Sequence, residues 1–230
     1  MELLLARDLA GVFVLNLRRR EDRLHEFHKT AERAGLTGPL APVRIEAVDG
    51  RHFPVLQRGA APAESATGMG HRYIWGLALA AGKPVLVFED DAVLCNAFSN
   101  HLTRPLSVPE DTDILQLGMS WLHLHPGAGQ IRQVKSGYGL FACVLFPGGA
   151  LKLLRREAAR PLLVPDHYSR PSPDFKVMIT YPTWATLRNQ ESDIKRRAPA
   201  AQRMGCHFED DQPHQNAAHQ GSERTGSAPE

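Results

Sequence analysis

The chain has 230 residues, 43% of them apolar and 23% charged, with a formal charge of +2. Such values describe an ordinary soluble globular protein with one sizeable domain, or one domain and a tail. They give no basis for a general affinity for nucleic acid or an anionic membrane, which calls for a strongly basic surface.

Cys95, Cys143 and Cys206 are odd in number, widely spaced and free of any C-x-x-C pair. That pattern argues against a disulfide framework and a zinc knuckle. No stretch approaches the ~20 apolar residues of a membrane span. Arg7 and Asp8 interrupt the apolar start, which runs straight into a strand-like segment and is unlike a signal peptide. The expectation is a cytoplasmic protein in a reducing compartment.

In chain order, residues 12–15 (VFVL) form a short apolar run that predicts a first buried strand. A helix follows from Glu21, with Leu24, Phe27, Ala31 and Ala34 on one face and Gly35 as its stop. Val43, Ile45 and Ala47 alternate as a half-buried strand, and Asp49-Gly50 makes a turn. Residues 59–70, rich in Ala, Gly, Ser and Pro, read as a loop. A helix over 71–81 carries Ile74, Leu77, Ala78 and Ala81 as its stripe and ends at Gly82 and Pro84. Residues 85–88 predict a strand apolar on both faces, and residues 113–118 another strand. Residues 121–137 read as a loop in which His123 and His125 alternate like an exposed strand edge. Residues 138–146 predict one further strand, followed by a helix after Pro147 and a short strand over 177–179. From residue 198 large apolar residues almost vanish, and this tail is expected to be disordered. The division is therefore a domain over 1–197 and a polar tail over 198–230. Alternating strands and helices indicate an α/β protein with a mostly parallel sheet.

Two charged blocks stand at strand ends. Glu89, Asp90 and Asp91 close the 85–88 strand, and ligands of open α/β sheets sit at such ends. Adjacent carboxylates repel unless a cation lies between them, and oxygen ligands suit Mg²⁺ or Mn²⁺. A solvated acidic loop is the alternative. Arg18, Arg19, Arg20 and Arg23 stand where a helix begins, and there cations oppose the helix dipole. A bound phosphate would make that placement favourable, and a solvated charged turn is again the alternative. Together the blocks suit a nucleotide diphosphate bridged through a metal, as sugar transfer from a nucleotide-sugar requires.

Six short blocks, in order, resemble those of glycosyltransferase family 25, which includes lipooligosaccharide and procollagen galactosyltransferases. Asn16-Leu17 with the arginines to Arg23 resembles its "NLxxRxxR" block, and Glu46-Ala47-Val48-Asp49-Gly50 its "AvdG" segment. His71-Arg72-Tyr73-Ile74-Trp75 resembles its "SHxxxW" helix start, and Glu89-Asp90-Asp91 its "EDD" block. Val164-Pro165-Asp166 resembles "pvD", and Gln190-Glu191-Ser192-Asp193-Ile194 the closing "Q…SdI".

The resemblance implies a GT-A-like fold, with a Rossmann-type, mostly parallel central sheet flanked by helices. It implies a UDP-sugar donor, Mn²⁺ (or Mg²⁺), and a glycan or other hydroxylated acceptor. Asn16, Arg18, Arg23 and His71 would lie near the nucleotide, while Arg19 and Arg20 depend on the turn. Glu89 and Asp91 would hold the metal, Asp91 foremost. Asp90 is grouped with the donor-binding residues, with a structural acid on backbone amides as its stronger alternative. Asp166 is the candidate for acceptor binding or general base, or else simply starts a turn. Asp193 and His167 compete as third metal ligand or base.

Departures accompany the likeness. Gly70 stands for the family's Ser, Ala66 and Thr67 stand for a Gly-Cys pair, and residues 118–138 match no block. That unmatched stretch is expected to carry acceptor specificity. A second acidic run, Glu209-Asp210-Asp211, follows no strand and reads as solvated charge. The competing functions are a nucleotide-sugar-binding relative without transfer, and another divalent-metal phosphate enzyme such as a phosphohydrolase.

Overall fold

The computed structural model of the chain describes residues 1–52, 62–159 and 169–188. Asp166, His167, Asp193, the acidic run at 209–211 and the whole 198–230 tail lie outside the described residues.

The elements are β1 (Glu2–Leu3), α1 (Leu5–Asp8), β2 (Gly11–Leu17), α2 (Glu21–Arg33), β3 (Val43–Ala47), α3 (Pro62–Ala81), β4 (Val85–Glu89) and β5 (Ala92–Leu94). Then come α4 (Phe98–Thr103), β6 (Leu106–Ser107), β7 (Ile114–Gln116), β8 (Trp121–Leu124), β9 (Ile131–Tyr138), β10 (Ala142–Leu145), α5 (Pro147–Ala159), β11 (Val177–Thr180) and β12 (Ala185–Leu187). Eight strands form the central sheet in the order β3-β2-β4-β10-β7-β11-β9-β8. The expected mostly parallel character is confined to β3–β2–β4 and to β7–β11. β10 enters antiparallel between β4 and β7, and β9 is antiparallel to both β11 and β8, so the sheet is mixed.

Helices cover both faces. Leu86 and Phe88 face a core shared with Phe27 of α2 and Phe98 of α4. Val85 and Val87 face the other, shared with Ile74 and Ala78 of α3 and Leu153 of α5. An unbroken apolar run is what a strand buried on both sides demands. Phe27, Phe88 and Phe98 pack ring on ring at centroid distances of 5.4 and 6.3 Å, which makes a firm floor below the end of β4. Among the described residues no helix is long and apolar enough to cross a membrane.

Two segments read as loops are regular structure. Residues 62–70 are the first half of α3. Two of the small residues there serve close packing: Ala66 is fully buried, and a Cβ on Gly70 would lie 2.6 Å from Leu15 Cδ2 of β2. Residues 121–138 form the β8–β9 hairpin. The Gly, Pro and His signals fall mostly in its turn, while Leu122 is buried and His123 exposed on the strand itself. The single strand expected over 138–146 is broken at Gly139, whose φ of +117° is open to glycine and whose Cβ would meet the Ser120 nitrogen at 2.8 Å. The predicted stops hold: Gly35 and Gly82 follow α2 and α3 with φ of +79° and +60°.

On the α5 side, Gly149 rests against the backbone of Asp113, where a Cβ would overlap the carbonyl. Gly149→Ala is expected to cost about 1–3 kcal/mol, since a helix must shift to admit the methyl group. A lower urea midpoint at unchanged m-value would register it; an unaltered midpoint would show that α5 adjusts freely.

Candidate active site

β2, β3, β4, β7 and β11 run in one direction, so their C-terminal ends share one edge of the sheet. Asn16 and the arginine turn leave β2 there, Asp49 and Gly50 follow β3, and Glu89, Asp90 and Asp91 follow β4. One cavity of about 150 Å³ joins them, lined by Arg19, Arg23, Asp49, Arg51, Glu89 and Asp91 among others. A broader depression of about 540 Å³, lined by Arg18, Arg19, Asp49 and His52, adjoins it through shared residues. The arginine and acid blocks, more than 60 residues apart in sequence, thus stand on one cleft.

Asp90 organises the floor. It is 8% exposed and accepts from Asn16 Nδ2 at 2.7 Å and from Arg23 Nη1 at 3.3 Å. Asn16, 1% exposed, also donates Nδ2 to the Arg20 carbonyl at 2.8 Å, which fixes the turn between β2 and α2. The partners expected for Asp90 were backbone amides; side chains of β2 and α2 take that place. Burial pushes the Asp90 carboxyl upward, and Asn16 and Arg23 pull it back. Asn16 and Arg23 were expected to face the nucleotide; in this state each is engaged with Asp90.

The remaining arginines separate clearly. Arg20 closes on Asp22 at 2.8 Å at the start of α2. Arg18 is exposed and faces the outer depression, not the inner cavity. Arg19 reaches the inner cavity, with Nε 3.0 Å from Asp49 Oδ2. Arg51 Nη2 meets the same oxygen at 2.6 Å, and Arg51 above all holds the Asp49 carboxyl well below the usual range. Arg51 was missed from sequence, although it directly follows the Asp49-Gly50 turn.

His71 lies within α3 and not at a helix start; it is 2% exposed, with Nε2 3.2 Å from Glu89 Oε1. It braces the first acid from below. Asp91 differs from its neighbours. Its Oδ1 is buried and accepts no hydrogen bond. Burial, then the charges of Glu89 and Asp90, push its carboxyl up to about 7. The Asp91 carbonyl accepts the Arg188 amide at 2.8 Å, and the Arg188 guanidinium reaches Glu26 and Thr30 of α2. Arg188 gave no signal in sequence, because its side-chain contacts lie about 160 residues away.

Among the described residues no three His, Cys, Asp or Glu side chains gather as a ready-made metal cage. The acids nonetheless fit a hard cation. Asp91 offers an orphaned anionic oxygen beside two further carboxylates, and Mg²⁺-like ions use one or two carboxylates, with substrate phosphates and water completing the shell.

A pH effect follows. The folded-state value of Asp91 lies above the ~3.9 of an unfolded chain. Its contribution is therefore fully favourable below about pH 4 and is lost as pH rises through about 7. Without metal, the melting temperature should fall more steeply between pH 5 and 8 for the natural protein than for Asp91→Asn. Parallel curves would show that Asp91 ionises without penalty.

No family model matches this chain, and no curated protein matches it.

Proposed function

We propose that the chain is a metal-dependent glycosyltransferase that moves a hexose, galactose or glucose, from a UDP-sugar to a saccharide or other hydroxyl acceptor. The observation that carries this reading is the shared cleft, in which Arg19, Arg23, Glu89 and Asp91 line one cavity. The order of the six motif blocks supports the donor class.

In this reading Glu89 and Asp91 hold the divalent ion, which would supply the positive charge that stabilises the departing diphosphate. His71 and the Asn16–Asp90–Arg23 network keep those acids in place. Arg19 and Arg51, at the cavity wall, take the phosphate oxygens in exchange for Asp49. Asp166 is assigned the general base, with Asp193 the competing candidate and His167 the weaker one. The inner cavity takes the diphosphate, and the outer depression beside Arg18 and His52 has room for the nucleoside.

A binding relative without transfer is the second reading. Gly70, packed on Leu15, brings no hydroxyl to the position where the resembled family carries a serine.

Incubation with UDP-galactose or UDP-glucose, Mn²⁺ and an oligosaccharide mixture should release UDP above the metal-free rate. Mn²⁺-dependent UDP binding without any release favours the binding-only reading. Neither binding nor release, with any UDP-sugar, removes both.

A further inference from the structure

The β8–β9 hairpin is acid-free. Between Trp121 and Tyr138 the sequence holds Arg132, Lys135 and two histidines, and no Asp or Glu. Neither Arg132 nor Lys135 forms an ion pair among the described residues. The Arg132 guanidinium stacks 4.9 Å over the Tyr181 ring and donates to the His125 carbonyl, while Lys135 is exposed. On β8, Leu122 turns inward and Trp121 and His123 turn to solvent, their rings 4.8 Å apart. Trp121 is 50% exposed, an unusual state for so large an apolar ring.

The aromatic end of the hairpin is tied to the acid edge. Trp121 pairs with Tyr138, and the Ser120 amide donates to the Tyr138 carbonyl. Three residues on, the Phe141 carbonyl accepts the Glu89 amide at 2.8 Å. At ~3.3–3.6 Å per residue, Tyr138 is held within roughly 11 Å of that contact.

We propose that the solvent face of this hairpin seats the acceptor, and that the acceptor is an acidic saccharide carrying carboxylate, as in a uronic acid. This deepens the glycosyltransferase reading and rests on it. A flat exposed indole suits the apolar face of a sugar ring, with His123 offering a hydrogen-bonding group at its border. An exposed lysine in an acid-free surface complements a single negative charge. A phosphate, with nearly two charges, is met by several cations, whereas Lys135 stands as one exposed cationic head.

The test is calorimetry with a glucuronate-containing tetrasaccharide and its carboxyl-reduced neutral counterpart, without UDP or metal. Glucose 6-phosphate and an oligothymidylate serve as controls. Trp75 and Trp184 are 2% and 5% exposed, so fluorescence in the same titration reports chiefly on Trp121. The acidic tetrasaccharide should bind saturably and shift the tryptophan emission to the blue. Affinity should drop about tenfold for the neutral sugar and in Trp121→Ala or Lys135→Glu, the scale of one aromatic or charge contact. Equal affinity for the neutral sugar, the oligonucleotide or glucose 6-phosphate overturns the proposal. So does unchanged affinity in both variants, or no saturable binding. Because UDP and metal are absent, these outcomes are separate from the fate of Mn²⁺–UDP binding.

Discussion

Replacing Asp91 by Asn is expected to weaken Mn²⁺-dependent UDP binding by at least ~100-fold while the fold is kept. The substitution preserves shape and removes only the anionic charge. In the free protein that charge is unwelcome: Oδ1 is buried without a donor, and Glu89 and Asp90 repel it. An amide relieves the repulsion, so thermal stability at pH 8 should hold or rise. A divalent ion, in contrast, loses a full ligand charge. The combination of lost ligand affinity and unharmed stability marks a group kept for function at a cost to the fold. Calorimetric titration of UDP with and without MnCl₂ reads the first half, and thermal melting the second. Metal dependence that survives in the variant would place the ion on other carboxylates.

Asp90→Ala should act in the opposite sense, with a loss of about 3–5 kcal/mol of stability. Arg23 is 7% exposed and Asp90 8%, so truncation takes the counter-charge from a buried guanidinium and a hydrogen bond from buried Asn16. Asp90→Asn, which retains an acceptor but no charge, should fall between. A double replacement, Arg23→Met with Asp90→Leu, should recover much of the loss, because paired apolar substitution avoids an isolated buried charge. Chemical denaturation of the natural protein, Arg23→Met, Asp90→Leu and the double variant closes the cycle and gives the coupling energy. A single-variant loss under about 1 kcal/mol would mean that water reaches this pair and that it behaves as a surface contact.

These two neighbours show what sequence conveys and what it withholds. The end of β4 was legible, because an apolar run with both faces buried stops abruptly at acids. The division of labour between Asp90 and Asp91 was not. It depends on Asn16 and Arg23, which lie 74 and 67 residues away and reach Asp90 only once β2 and β4 pair. The first half of α3 was hidden because Ala, Gly and Ser mark loops and tight helix–strand contacts alike. Gly70 belongs to the second kind, since its missing Cβ leaves room for Leu15. The β8–β9 hairpin was obscured by a Gly/Pro-rich turn that weighed more heavily than four residues of alternation. A mostly parallel sheet was inferred from alternating strands and helices. The insertion of β10 between β4 and β7 reverses direction without leaving a mark in periodicity.

In the proposed site Glu89 and Asp91 hold a divalent ion against a diphosphate gripped by Arg19 of the β2–α2 turn and Arg51 after β3. Diffraction at the manganese edge from crystals soaked in UDP and MnCl₂ locates the ion. An anomalous peak is expected between the Asp91 carboxylate and the diphosphate, with Arg19 turned from Asp49 to a phosphate oxygen. A peak elsewhere, or UDP bound with no ion at Asp91, would contradict this assignment.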